Sequence, residues 1–204
     1  MTRTPFFATF EPGPDIQHGW VALGVDYWQD ILVILTCEHT APGPQAARDI
    51  MAAWTALQSM TRHRAPWSDL WTQWATYVQE RQADHPYGLS LAALVPGDPP
   101  LLWVAGHNAV PVVGWRGNEL WIPGPGPGMQ VTGTPGDLYI WGTPNLWNVV
   151  QRDDVMHIIH TSTSTTDIGT RLVALAQQSV SHAFGVVVTL LEGPQGQGIK
   201  EIAP

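Results

Sequence analysis

A single cysteine, Cys37, is all the thiol chemistry in this 204-residue sequence. No intrachain disulfide can form, and a reducing interior is the expected home. Basic charge is scarce as well: nine Lys plus Arg stand against seventeen Asp plus Glu, for a net charge of −8. Nucleic acids and anionic membranes are both held by basic patches that neutralise phosphates, so neither is an expected partner. No segment reaches the ~18 apolar residues of a membrane helix, and the opening MTRTPFFATFEPGPD has no basic patch followed by an apolar run. These absences lead to the expectation of a cytoplasmic protein. Two compact motifs are also missing. There is no His-Glu-x-x-His, and the Gly-rich GPGPGMQVTG lacks the Gly-Lys-Ser/Thr of a phosphate loop, while its prolines remove backbone donors.

What is present is a hydrophobic fraction of 44% and eleven tryptophans. Such aromatic payload is read as core rather than as a ligand platform. The length fits one domain spanning 1–204, with 193–204 as a flexible tail.

Strand patterns fall at about 5 to 11, 19 to 28, 31 to 36 (ILVILT), 89 to 95, 101 to 106, 110 to 115, 118 to 123, 138 to 142 and 184 to 192. Ala47, Ile50, Met51, Trp54 and Leu57 share one face of a helix over about 44 to 61. Trp67, Leu70, Trp71, Trp74 and Tyr77 do the same over 66 to 83, with Pro66 at its opening. Two more helices are expected at 152 to 160 and 166 to 180, the second presenting Ile168, Leu172 and Leu175 on one face. Thr166 or Asp167 would cap it. The Pro/Gly-rich run from 123 to 137 is read as a loop. Strands, two helices, strands, two helices and a strand spell an α+β fold of antiparallel sheets with helices outside.

One block is more specific. Pro135-Gly136-Asp137, the apolar Leu138 to Trp141, then Gly142-Thr143-Pro144-Asn145-Leu146-Trp147-Asn148 resembles the Pro-Gly-Asp, apolar strand and Ala/Ser-Asp-Gly-Leu-Trp-Asp block of the metal-dependent protein phosphatases of the 2C type. YGLSLAALV with LLWVAGHNAVPVVGWRGNEL resembles that family's Gly-Thr-Thr-Leu strand and Gly-Asp-Ser-Arg hairpin. ILVILTCEHTAPGPQAARDIM resembles its Asp-Gly-x-Gly-Gly loop and first long helix, and SVSHAFGVVVTLL its last acidic strand. The resemblance spans about residues 31 to 191 and implies a four-layer αββα sandwich, two antiparallel sheets flanked by helical pairs.

It also implies a loss. Pro144 takes the place of a metal-binding Asp and Asn145 that of the glycine after it. Ala109 falls on another acidic position, Thr36 or Cys37 on a third, and His182 or Ala183 on a fourth. The family's chemistry uses two Mg²⁺ or Mn²⁺ ions held by carboxylates, and these residues cannot supply them. The family's substrate-facing flap, an insertion before Pro-Gly-Asp, is replaced by the short span from Trp121 to Thr134. The expectation is therefore a pseudophosphatase with no catalytic residues and no cofactor. It would work by binding another protein, as a regulatory or scaffolding module, with a kinase or a regulatory-complex component as the partner by analogy with the family. Leu146, Trp147, Gly136 and Gly88 are then kept for architecture. The alternative is a rebuilt metal-dependent hydrolase with Glu38, His39, His107 and His182 as Zn²⁺ ligands.

Overall fold

The structure, a computed structural model, describes residues 6–11, 20–28, 31–39, 48, 52, 55–56, 59, 69, 71–74, 76, 80, 87–106, 112–121, 129–179 and 184–191. Within them lie two antiparallel five-stranded sheets. The first runs β1 (Phe6–Glu11), β10 (Phe184–Leu190), β9 (Leu138–Gly142), β6 (Val112–Arg116), β7 (Glu119–Trp121). The second runs β2 (Trp20–Trp28), β3 (Ile31–His39), β4 (Tyr87–Val95), β5 (Leu101–Gly106), β8 (Met129–Thr132).

Alternation along the strands builds two cores from one sheet. Tyr139, Trp141, Val112 and Val187 point from the first sheet toward Leu32, Ile34, Leu94 and Leu102 of the second. Leu138, Ile140, Val186 and Val188 point the other way, onto helices. Those helices are α1 (Pro144–Trp147), α2 (Arg152–Thr161) and α3 (Thr165–Gln177). Their contribution follows a 3.6-residue period, with Val155, Ile158 and Ile159 from α2 and Ile168, Leu172 and Ala176 from α3. Both cores are closed by β9, which is buried along its whole length.

The outer face of the second sheet is covered by helical residues. Trp71 and Trp74 are buried, and Trp71 meets Trp103 of β5 edge-on at 5.6 Å between ring centroids. Described helical positions 48, 52, 55 and 59 are exposed, on the side away from the apolar stripe that the sequence places at 47, 50, 51, 54 and 57. The layers thus run helix, sheet, sheet, helix, as an α+β sandwich.

Three expectations need correction. The run from 123 to 137 is not loop throughout, because Met129–Thr132 forms β8 and pairs with β5 from Leu101↔Thr132 to Val104↔Met129. Its four residues contain neither Pro nor Gly, and it sits at a sheet edge, where flanking punctuation is tolerated. The ILVILT strand does not end at Thr36 but continues through Cys37 and Glu38 to His39. The cap of α3 is Ser164, whose hydroxyl accepts from the Asp167 N–H at 3.1 Å. Asp167 instead reaches back, its carboxylate accepting from the Thr163 N–H at 3.1 Å.

Candidate functional site

The turn after β9 is where the resemblance locates chemistry, and local bonding shows how it is held. Thr143, fully buried, exchanges two hydrogen bonds with the start of β10: its N–H donates to the Gly185 carbonyl at 3.1 Å, and its Oγ1 accepts from the Gly185 N–H at 3.1 Å. The Thr143 carbonyl then accepts from the Leu146 and Trp147 N–H groups at 3.0 and 3.4 Å, closing the single turn of α1. Pro144 opens that turn, where its missing N–H costs nothing. Leu146 is buried, and the half-buried Trp147 donates its Nε1–H to the Gly142 carbonyl at 3.0 Å. Gly142 permits this fold-back, because a Cβ there would run into the Leu146 side chain and lie 2.7 Å from the Trp147 indole. Leu146, Trp147 and Gly142 are thus architectural.

No residue from Gly142 to Trp147 carries a carboxylate. The one side-chain oxygen described in the turn, the Thr143 hydroxyl, is committed to Gly185. Among the described side chains of the turn, no carboxylate oxygen is offered to a hard divalent cation.

The other end of β9 holds an acid that sequence reasoning did not single out for a role. Asp137 is 1% exposed. Its Oδ1 accepts from Arg116 Nε at 2.8 Å, and its Oδ2 from Arg116 Nη2 at 2.6 Å, from the Thr134 N–H at 2.8 Å and from the Tyr139 hydroxyl at 3.1 Å. Arg116 also donates to the Thr132 carbonyl at 2.9 Å and lies 5.9 Å from the centre of the Trp121 ring. Gly136, at φ +93°, turns the chain into this junction. The Gly136 N–H donates to the Leu191 carbonyl, and the Leu191 N–H to the Asp137 carbonyl, each at 2.8 Å. The hydrogen bonds to Asp137 raise the Arg116 pKa above its ordinary value. Burial first, and then the Asp137 charge, push the Tyr139 phenol up as well. Engaged in this way, Asp137 ties β6, β8 and β9 together. The signal for it in the sequence was the Pro-Gly-Asp turn itself, read against the Arg-Gly-Asn hairpin.

The remaining sequence-predicted positions fall as follows. Thr36 pairs with Leu23 and Ser90, Cys37 with Ala22 and Leu89, Glu38 with Val21 and Gly88, and His39 with Trp20 and Tyr87. All four lie in the strand ladder rather than in a loop. Pro144 and Asn145 lie in α1. His107, Ala109, His182 and Ala183 lie outside the described residues, as does the tail 193–204. Among the described residues no group of three His, Cys, Asp or Glu could hold a metal ion, and no helix is long and apolar enough to cross a membrane. A separate groove of about 300 Å³ opens between α2 and α3, lined by Ile158, Ala174 and Leu175 with Asp154, His157, Arg171 and Gln178 around them.

Two stacked sheets with outer helices, in this connectivity, match known structures over nearly the whole chain. The fold is that of the 2C-type protein phosphatases. The PPM Ser-Thr phosphatase MsPP of Mycobacterium smegmatis, solved in complex with cacodylate, superposes with a TM-score of 0.67 at 16% identity, over 93% of this chain and 100% of that one. A chain with the RsbU and RsbW domains of Rv1364c from Mycobacterium tuberculosis gives 0.73 at 12% identity, over 94% of this chain and 62% of that one. The phosphatase domain of SpoIIE from Bacillus subtilis, with a fragment of its regulatory domain, gives 0.71 at 11% identity, over 93% and 63%. No protein-family model and no curated protein matches the sequence.

Proposed function

We propose that this chain is a phosphatase-fold protein that does not hydrolyse phosphoesters and acts by binding another protein, as a regulatory or scaffolding module. The observation that carries this reading is Pro144. It begins α1 directly after the buried strand β9, at the position where the resemblance calls for a metal-binding Asp, and its ring offers no acidic oxygen. Thr143 beside it spends its hydroxyl on Gly185. The same correspondence puts Ala109, Thr36 or Cys37, and His182 or Ala183 on the other acidic positions. Hydrolysis in this fold depends on a metal-activated water, and hard cations demand several carboxylate oxygens at once. The kept parts, Gly142, Leu146 and Trp147, are those that hold the turn against the core. Two of the similar structures also carry the fold beside a further domain, RsbW in one and a regulatory-domain fragment in the other. A kinase or a component of a regulatory complex is the class of partner this analogy suggests.

The test is a calorimetric titration of the chelator-stripped protein with Mn²⁺ and with Zn²⁺, alongside release of nitrophenol from p-nitrophenyl phosphate. No uptake of either ion and no turnover is the expected result. Stoichiometric Mn²⁺ binding with turnover would overturn the reading. Zn²⁺ uptake abolished by His107→Ala would replace it with the rebuilt hydrolase.

A further inference from the structure

The four sheet edges are not alike. β7 has three residues and opens on Glu119, β8 has four, and β1 has six and ends on Glu11. Short length and charge are the usual ways of keeping an edge from pairing with another chain. The fourth edge, β2, is the longest, and its charge sits inside the strand rather than at an end. Its nine residues WVALGVDYW carry one charge, Asp26, with no Lys, Arg or Pro. All nine pair with β3 in one continuous register, from Trp20↔His39 to Trp28↔Ile31, with no bulge to twist the edge away. The strand is about 30 Å long at ~3.3 Å per residue. Among the described residues no strand pairs with its outer side.

We propose that β2 is the seam of a homodimer, in which two copies join edge to edge and antiparallel about a two-fold axis at Gly24. A second copy suits this edge better than an unrelated extended segment, because β2 is complementary to itself. Full antiparallel overlap of the nine residues puts position 24 on the axis, and that position is a glycine, the residue that lets two backbones approach most closely. The same register sets Asp26 against Ala22 of the second copy, so the one charge on the strand does not face its like. A register centred on Asp26 would oppose two carboxylates and pair fewer residues. The two second sheets then become one continuous sheet. This arrangement is independent of whether the fold binds metal or hydrolyses phosphoesters.

Sedimentation equilibrium of the unmodified full chain tests it directly. The expected result is a mass that doubles with concentration, and a monomer at every concentration would overturn the proposal. The register is read with cysteine pairs. Directly opposed positions bring Cβ atoms to about 4.5–5.5 Å, near enough for a disulfide after a small adjustment. In a Cys37→Ser background, Gly24→Cys is expected to give a disulfide-linked dimer under mild oxidation, whereas Leu23→Cys, facing Val25 of the second copy, is not. A dimer that cross-links equally well through both positions, or through Leu23→Cys alone, places the contact elsewhere and overturns it.

Discussion

Arg116 grips Asp137 with two nitrogens, Nε at 2.8 Å and Nη2 at 2.6 Å, across the boundary between exposed and buried: the arginine side chain is 47% exposed and the carboxylate 1%. Removing the arginine leaves a buried charge with only the Thr134 N–H and the Tyr139 hydroxyl. Arg116→Ala is expected to cost about 2–3 kcal/mol, the range for hydrogen bonds to a charged group whose partner stays buried. Arg116→Lys is expected to recover only part of this, because a point charge cannot reproduce the two-nitrogen grip. Urea unfolding of the three proteins measures both effects. A loss under about 0.5 kcal/mol for the alanine variant would show that solvent replaces the guanidinium at no cost.

Tyr139 sits between that carboxylate and the inter-sheet core, and its phenol is held protonated by burial and by the Asp137 charge. The sign follows from linkage. A folded pKa above the unfolded value of about 10 contributes stability that is complete below pH ~10 and is lost as pH rises from there toward the folded value. Melting temperatures measured from pH 8 to pH 11 are therefore expected to fall more steeply for the natural chain than for Tyr139→Phe. At neutral pH the Phe variant should be less stable by about 1 kcal/mol, having lost one hydrogen bond to Asp137. Parallel alkaline slopes would remove Tyr139 as the source.

Thr189 is fully buried opposite Tyr139, and its hydroxyl has no hydrogen-bond partner among the described residues. An unpaired buried hydroxyl costs desolvation with nothing in return, and valine has nearly the same shape. Thr189→Val is expected to be neutral or up to about 1 kcal/mol more stable, against the usual direction of core substitutions. Thr189→Ser, which keeps the hydroxyl and deletes the methyl, should lose about 1 kcal/mol. Thermal unfolding of the pair gives the comparison, and a destabilised valine variant would mean that the hydroxyl has a partner such as an ordered water.

These positions also show what could be read from the chain alone. β9 was legible to the residue, because Leu138 to Trp141 form an apolar run bounded by Pro-Gly-Asp on one side and Gly142 on the other. The buried face of α3 was legible at Ile168 and Leu172 from the 3.6-residue period, while Leu175 lies at its margin and is only partly buried. β8 was not, because its four residues are too few for a pattern and lie inside Pro/Gly punctuation. The Ser164 cap was not legible, because Ser164, Thr166 and Asp167 are all good cap types within four residues and only the backbone decides between them. The Arg116 to Asp137 pair spans 21 residues and depends on the register of β6 against β9, which no local pattern encodes. At the candidate site, the lack of a carboxylate at Pro144 and Asn145 was visible as residue identity. The commitment of Thr143 to Gly185 was not, since it joins residues 42 apart.

Gly142 is the hinge on which the turn after β9 closes. A Cβ at this position would collide with Leu146 and press on the Trp147 indole, whose Nε1–H donates to the carbonyl of Gly142 itself. Leu146 is fully buried in the core beneath α2 and α3, so it cannot yield without opening a void there. Gly142→Ala is therefore expected to displace α1, not merely to lower stability. Its cost should be about 2–3 kcal/mol, as for other overpacked sites. The displacement has its own signature, because the indole N–H of Trp147 would lose its acceptor and exchange with solvent faster than in the natural chain. Nitrogen-15 spectra of the tryptophan side chains resolve that proton from the others. An alanine variant with unchanged indole exchange and stability would mean that α1 shifts freely, and that the turn is not locked to the core as described.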